Sequence, residues 1–185
     1  MERTSVKVVV AGGFGAGKTT LVGSVSEIEP LTTEEVLTEA GIGVDDLVGL
    51  ESKTRTTVAL DFGRITINDE VVLYLFGTPG QDRFWFMWDE LAQGAVGAVV
   101  LVDTRRLDAS FAAIDYFERR GISFIIAVNM FFGREQYSEE EIRGALHLTA
   151  DAPMLWCDAR DRQSVKNILL GLVRHSLARL PAESV

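Results

Sequence analysis

The chain has 185 residues, 47% apolar and 24% charged, which is the composition of a globular domain large enough to bury a core. No run approaches the roughly 20 apolar residues of a membrane span, and one cysteine, Cys157, excludes an internal disulfide or a cysteine-based zinc site. The net charge of −9 disfavours nonspecific binding to nucleic acid or an anionic membrane, and it is uneven, with eight acids against two bases between Glu27 and Arg55.

Strand and helix signals alternate along the chain. Val6–Ala11 is a β-branched run ending at Gly12, which predicts a buried strand, and Gly17 to about Ser26 predicts a helix. Glu27–Arg55 has weak periodicity and contains Pro30, so a long acidic loop is expected, with a helical turn near Thr33–Ala40. Thr56–Ile67 and Val71–Phe76 read as strands joined at Asn68-Asp69, a connection too short for anything but an antiparallel hairpin. Arg83–Gln93 predicts a helix rich in Trp and Phe, and Ala95–Val102 an apolar strand. Asp108–Arg120 predicts a helix capped by Asp108 and stopped by Gly121. Ser123–Asn129 is another apolar strand, and Ser138 to Glu141 spells a capping box at a helix start. Pro153–Cys157 is a short last strand, followed by a long helix over Gln163–Leu180.

This order predicts an α/β fold: a mostly parallel six-stranded sheet with one antiparallel strand and helices on both faces, forming one domain over residues 1–185. Ligands of such sheets sit at the carboxyl ends of the strands. The segments to inspect are therefore Gly12–Thr19, Gly77–Gln81, Asp103-Thr104, Asn129–Gly133 and Asp158–Arg160.

Gly12-Gly13-Phe14-Gly15-Ala16-Gly17-Lys18-Thr19 matches the phosphate-loop pattern G-x-x-x-x-G-K-[ST], after a predicted strand and at a predicted helix start. The glycines let backbone N–H groups point inward at phosphate oxygens, and the helix N-terminus at Thr19-Thr20 adds a favourable dipole. Lys18 is placed to reach the β- and γ-phosphates, and the Thr19 hydroxyl to ligate Mg²⁺. A nucleoside triphosphate with magnesium is the expected ligand.

Thr57-Val58-Ala59-Leu60-Asp61-Phe62 and Phe76-Gly77-Thr78-Pro79-Gly80-Gln81-Asp82-Arg83-Phe84, taken with the phosphate loop, resemble the Ras superfamily of small GTPases, most nearly the Rab-like pattern. By that resemblance Thr57 is the switch I threonine on Mg²⁺ and γ-phosphate, Gly80 supplies the N–H that senses the γ-phosphate, and Gln81 orients the attacking water. Residues 27–56 are then an extended acidic switch I region. Where the Ras pattern has a carboxylate, this chain has Gly77; Asp61, on the partner strand, is the expected replacement as a metal ligand. The chain is similar in this respect to bacterial MglA-type GTPases, and more so to the small GTPase-like D component of actinobacterial conservon operons. That resemblance implies a roadblock/LC7-type regulatory protein and a sensor-kinase-like protein as partners. It also makes Arg55 a candidate for a catalytic arginine supplied in cis, with Arg83 as competitor.

Small GTPases read guanine with N-K-x-D. Here Asn129 matches, Met130 offers an apolar stem for packing on the base, and Phe132 stands where the guanine-reading acid belongs. Asp158-Ala159-Arg160 occupies the place of the S-A-K loop, so Ala159 is expected to offer its N–H to guanine O6 and Asp158 is a candidate substitute acid. Hydrogen-bonded readout is where strong base discrimination arises, so these departures bear on GTP against ATP.

The leading reading is a Mg²⁺-dependent GTP/GDP switch with slow hydrolysis. The alternatives are a nonenzymatic nucleotide-binding scaffold and a small-molecule kinase. Cys157 reads as a packed thiol. Neither a signal peptide, nor a C-terminal lipidation cysteine, nor a myristoylation glycine is visible, and a cytoplasmic protein is expected, recruited to a membrane only through a partner.

Overall fold

The computed structural model describes residues 3–37, 56–80, 86–131 and 137–179. Its centre is a seven-stranded sheet. In chain order the strands are β1 (Thr4–Gly12), β2 (Leu31–Leu37), β3 (Thr56–Thr66), β4 (Val71–Gly77), β5 (Ala95–Val102), β6 (Phe124–Asn129) and β7 (Met154–Cys157). In space they run β2-β3-β4-β1-β5-β6-β7. β1 pairs in parallel with β4 and β5, and the parallel ladder continues through β6 to β7. β3 is antiparallel to both of its neighbours, so among the described strands it alone runs against the rest.

The helices are α1 (Lys18–Val25), α2 (Met87–Ala92), α3 (Phe111–Arg120), α4 (Glu139–Ala145) and α5 (Arg162–Ala178). Side chains alternate across a strand, so the sheet divides the interior in two. Val8 and Val10 of β1 face one cluster with Leu21, Val22 and Val25 of α1 and Ile168, Leu169 and Leu172 of α5. Val9 and Ala11 face the other, with Trp88 of α2, Ile114 and Phe117 of α3 and Ile142 of α4. Near-complete burial on both faces explains why β1, β5 and β6 read as unbroken apolar runs.

The six expected strands and the antiparallel hairpin are present. At the hairpin, Asn68 Oδ1 accepts from the amides of Glu70 (2.9 Å) and Val71 (2.8 Å), a side chain standing in for a backbone turn. The Ser138–Glu141 capping box forms, and Gly121 ends α3 at φ 63. Three expectations are corrected. Residues 31–37 form an added edge strand rather than a loop or helical turn, because β3 is long enough to pair on its outer side as well. Asp108 does not cap α3; it lies in a 3-10 turn, Leu107–Ser110, that runs straight into the helix without a side-chain cap. Of the helix expected over Arg83–Gln93, α2 takes Met87–Ala92 with Phe86 and Gln93 as its caps, and residues 83–85 lie outside the described residues.

Candidate functional site

The loop between β1 and α1 curls as the glycine spacing requires. Gly17 has φ 106, and a Cβ there would lie 2.7 Å from Asn129 Nδ2, so only glycine fits both the backbone and the space. Ala16 N donates to Gly13 O at 3.2 Å, tightening the turn, while Phe14 projects into solvent. Lys18 and Thr19 open α1, and Thr20 follows them on an exposed position.

Lys18 is buried, and its ammonium donates to the loop's own carbonyls, Gly12 O at 2.7 Å and Gly13 O at 2.8 Å. Burial pushes its pKa down to about 8, and the negative charge of Asp61 opposes that shift. The ammonium therefore sits inside the curl, at the place where a polyphosphate would compete for it.

Thr19 Oγ1 donates to Asp61 Oδ2 at 2.7 Å. Asp61 is buried on β3, and its register partner on β4 is Gly77. A Cβ at position 77 would stand 3.0 Å from Asp61 Cβ and 3.1 Å from Asp61 Oδ2. The carboxylate thus occupies the space that a side chain at 77 would need. Hydroxyl and carboxylate oxygens side by side, at the mouth of a phosphate loop, are the hard donor set Mg²⁺ takes from proteins, so these residues fit that ion.

Beyond β4 the chain folds over the loop. Thr78 N donates to Val10 O at 2.8 Å, while the Thr78 hydroxyl is buried without a partner among the described residues. Gly80 lies directly on the loop: a Cβ added there would come 2.7 Å from Lys18 Nζ and 2.8 Å from Phe14 Cα. The following helix is tethered at both ends. Lys7 Nζ donates to Gln93 O at 2.9 Å, and Asp89 accepts from Tyr116 (2.7 Å) and pairs with Arg120 (2.6 Å). Of the aromatic cluster, Trp88 is buried against Tyr116 and Phe117, and Phe86 is half exposed.

At the other end of the loop, Asn129 is a cross-brace. Its Nδ2 donates to Ala16 O at 3.0 Å and its Oδ1 accepts from Ala159 N at 3.2 Å. The Ala159 amide, expected for guanine O6, is engaged in this bond. Met130 N donates to Cys157 O at 2.7 Å. Asp158 is no unengaged acid either. Its Oδ1 accepts from Arg160 N (3.0 Å) and Nε (2.9 Å), and its Oδ2 from Arg160 Nη2 (2.8 Å). The Arg160 guanidinium holds the Asp158 carboxyl below the usual carboxylate range. Sequence reasoning missed the twin of this pair: Asp103 grips Arg105 at 2.8–2.9 Å, and the Arg105 guanidinium lies 3.7 Å over the Phe131 ring. The repeated D-x-R at 103–105 and 158–160 was the available signal.

The structure therefore brings together Gly12–Thr20, Asp61, Gly80, Asn129 and Ala159. Thr57 is placed on β3 opposite Val36 of β2. Gln81, Arg55, Arg83, Phe132 and Gly133 lie outside the described residues. Cys157 is fully buried, and burial pushes its thiol up to about 11, in keeping with a packing role. No helix among the described residues is long and apolar enough to cross a membrane.

A family model described as "Conserved hypothetical ATP binding protein" matches residues 10–179. Over 106 residues the chain is 35% identical to "Uncharacterized protein MJ1339" of Methanocaldococcus jannaschii, covering 57% of this chain and 56% of that protein. The chain thus spans about half the length of that curated relative. Among solved structures it resembles the G domain of the T. maritima FeoB iron transporter, with a TM-score of 0.63 and 15% identity over 94% of this chain and 99% of that one. The apo cytosolic domain of the same transporter gives a TM-score of 0.65 and 14% identity over 98% of this chain and 67% of that one. At these identities the likeness establishes the fold alone, the one that the FeoB G domain has.

Proposed function

This chain belongs to the family of conserved hypothetical ATP-binding proteins, and from its phosphate loop and the switch motifs of its sequence we propose that it is a nucleotide-operated switch that binds GTP through the loop of Gly12–Thr20 and hydrolyses it slowly. The observation that carries this reading is the Thr19–Asp61 contact, which sets a metal-binding oxygen pair beside the ammonium of Lys18.

On binding, the phosphates take the place of the Gly12 and Gly13 carbonyls as partners of Lys18. The loop amides and the start of α1 supply the remaining positive field. A Mg²⁺ ion held by Thr19 and Asp61 would supply neutralisation of charge on the phosphate oxygens; Thr57, four residues from Asp61 along the same strand and so about 13 Å away, would join them only if the start of β3 left its pairing with β2. Gln81 orients a water for in-line attack on the γ-phosphorus. The bond to the bridging oxygen breaks, leaving GDP and inorganic phosphate. Gly80, already against Lys18, reports the γ-phosphate to α2, and loss of that phosphate releases both switch segments, including the acidic residues 27–56. Arg55 is the candidate for charge stabilisation in cis. A roadblock/LC7-type protein and a sensor-kinase-like protein are the proposed partners, and they would account for any recruitment to a membrane.

The test is phosphate release from GTP under multiple turnover, with and without a roadblock-type partner, for the wild type and Gln81→Ala. Release that depends on Gln81 supports the switch. Tight binding with no release under either condition favours the nonenzymatic scaffold, and transfer of label to anything but water favours the kinase.

A further inference from the structure

The sheet face that carries α1 and α5 is not covered along its whole length. α1 has eight residues, about 12 Å of helix. The chain meets β3 again as that helix ends: Ser26 Oγ accepts from Arg64 N at 3.2 Å, and Glu27 N donates to Arg64 O at 2.8 Å. Past Arg64, Ile65 and Ile67 of β3 and Val71 and Leu73 of β4 face the flank of α5 across a cavity of about 360 Å³. Val6 and Val173 line this cavity and also a second one, of about 570 Å³, under the last turns of α5, so the two adjoin as one trough. Val6 lies six residues before Gly12 on β1, which sets the trough about 20 Å along the strand from the phosphate loop.

The trough is apolar where it is open. Ile67 is 43%, Leu170 44% and Leu177 61% exposed, and Leu170, Val173 and Leu177 follow at i, i+3 and i+7, one stripe of α5. Among the described residues two charged side chains line it, Lys166 and Arg179, one toward each end of that stripe. Both are basic, and neither forms a salt bridge among the described residues. Residues 162–179 carry Arg162, Lys166, Arg174 and Arg179 and no acid, in a chain whose net charge is −9. Lys166 and Arg179 are thirteen residues apart, about 20 Å along the helix. A sheet with parallel strands keeps both faces covered by helices. The element that fits the uncovered stretch is a helix of about three to four turns, apolar toward the trough and acidic toward α5.

We propose that this trough seats an amphipathic helix of a protein partner, whose apolar stripe packs against Ile67, Leu170 and Leu177 and whose carboxylates meet Lys166 and Arg179. The recess argues against a bilayer, whose surface reaches the rim of the trough and not its floor, and the net charge of the chain opposes an anionic surface as well. The sign of the charges argues against a second copy: two α5 stripes packed antiparallel about a twofold axis bring Lys166 of one copy toward Arg179 of the other. A partner seated here leaves the phosphate loop open, whatever that loop binds.

The probe is a displayed library of helical peptides of about 14 residues, the length that spans the trough, randomised in charge and apolar pattern and selected on the full chain. Enriched peptides should carry more acids than bases beside an apolar stripe at i, i+3, i+4 and i+7. The best of them, measured free in solution, should lose about tenfold or more in affinity on Leu170→Asp, the effect of removing an apolar anchor. Lys166→Glu and Arg179→Glu should each cost about two- to fivefold, the scale of an exposed ion pair. A peptide with its acids changed to lysine should recover affinity for the doubly reversed variant, which a merely structural effect of those substitutions would not give. Inorganic tripolyphosphate binding and the thermal midpoint should be unchanged in all variants, since each substituted side chain lies away from the loop and is not part of the core. No enrichment, enrichment without an excess of acids, or binding indifferent to Leu170→Asp overturns the proposal. So do three other results: phosphatidylserine vesicles that sediment the wild type and not Leu170→Asp, which assign the face to a membrane; a dimer lost on Leu170→Asp, which assigns it to a second copy; and peptide binding that appears only when residues 180–185 are deleted, which assigns it to the chain's own C-terminal residues.

Discussion

Asp61 on β3 and Gly77 on β4 are register partners, and the carboxylate of the first fills the space beside the bare Cα of the second. On the proposed reading, the metal-side carboxylate that the Ras-like pattern carries at the position of Gly77 stands here across one strand, at Asp61. Asp61→Asn should weaken Mg²⁺-dependent GTP binding by on the order of tenfold or more, leaving metal-free binding little changed. Gly77→Asp alone should not help, because two carboxylates would compete for one site. The exchange of both, Asp61→Gly with Gly77→Asp, should recover part of the loss. Titration of GTP affinity against Mg²⁺ reads all three; recovery absent from the exchange would mean that the strand carrying the acid matters as well as its position.

Lys18 sets a pH limit on binding. In the free protein its proton leaves near pH 8, and phosphate oxygens would hold it on in the complex. GTP affinity should fall by up to about tenfold per pH unit above about pH 8. The unliganded fold should respond in the opposite sense. The folded pKa of about 8 lies below the ordinary value of 10.5, so the unfolded chain binds more protons between those values and stability rises with pH across that window. Binding isotherms and urea midpoints at pH 7.5, 8.5 and 9.5 measure the two trends. Parallel changes of both would contradict the assignment.

Asn129 ties the phosphate loop to the turn after β7 through two buried bonds. Asn129→Ala should cost about 1–3 kcal/mol in urea unfolding, since Ala16 O and Ala159 N lose a buried partner. It should also weaken every nucleotide alike, because the loop rather than the base contact is disturbed. Selective loss of GTP over ATP would place Asn129 in base readout instead.

Gly80 has no room for a side chain against Phe14 and Lys18. Gly80→Ala should push the start of the β4–α2 connection off the loop while leaving the loop itself intact. Triphosphate binding should persist, and hydrolysis should drop by about 100-fold, the usual effect of a small misplacement near reacting atoms. Single-turnover phosphate release against a binding assay separates these; an unchanged rate would take Gly80 out of the mechanism.

The apolar strand segments, the hairpin and the phosphate loop were legible because each is dictated locally: by β-branched runs, by Asn68 in a tight turn, and by glycines at fixed spacing. β2 was not. Leu31-Thr32-Thr33-Glu34-Glu35-Val36-Leu37 carries two adjacent acids and no apolar alternation, and its strand state comes from pairing with β3, some twenty or more residues away. The start of α3 was misread because Asp108 satisfies the usual cap composition, while a 3-10 turn enters the helix by another path. In the site, Thr19 and Asp61 were read as ligands of one ion and do lie in contact, whereas Asn129 was read with the base and its bonds to Ala16 O and Ala159 N were not foreseen. Nor was the engagement of Asp158 by Arg160, because an acid in a motif position gives no sign of whether its oxygens are taken. Gln81 and Arg55 lie outside the described residues, so their roles rest on the motif and on the turnover tests above.

The Asn68 turn lies at the edge of the molecule where β1 begins, a full strand length from Gly12, and its residues are exposed. Cys157 is sealed in the core. A thiol introduced as Asp69→Cys is therefore the natural anchor for a fluorophore or a surface tether, since the dye would react there alone and ride on the hairpin without entering the nucleotide crevice.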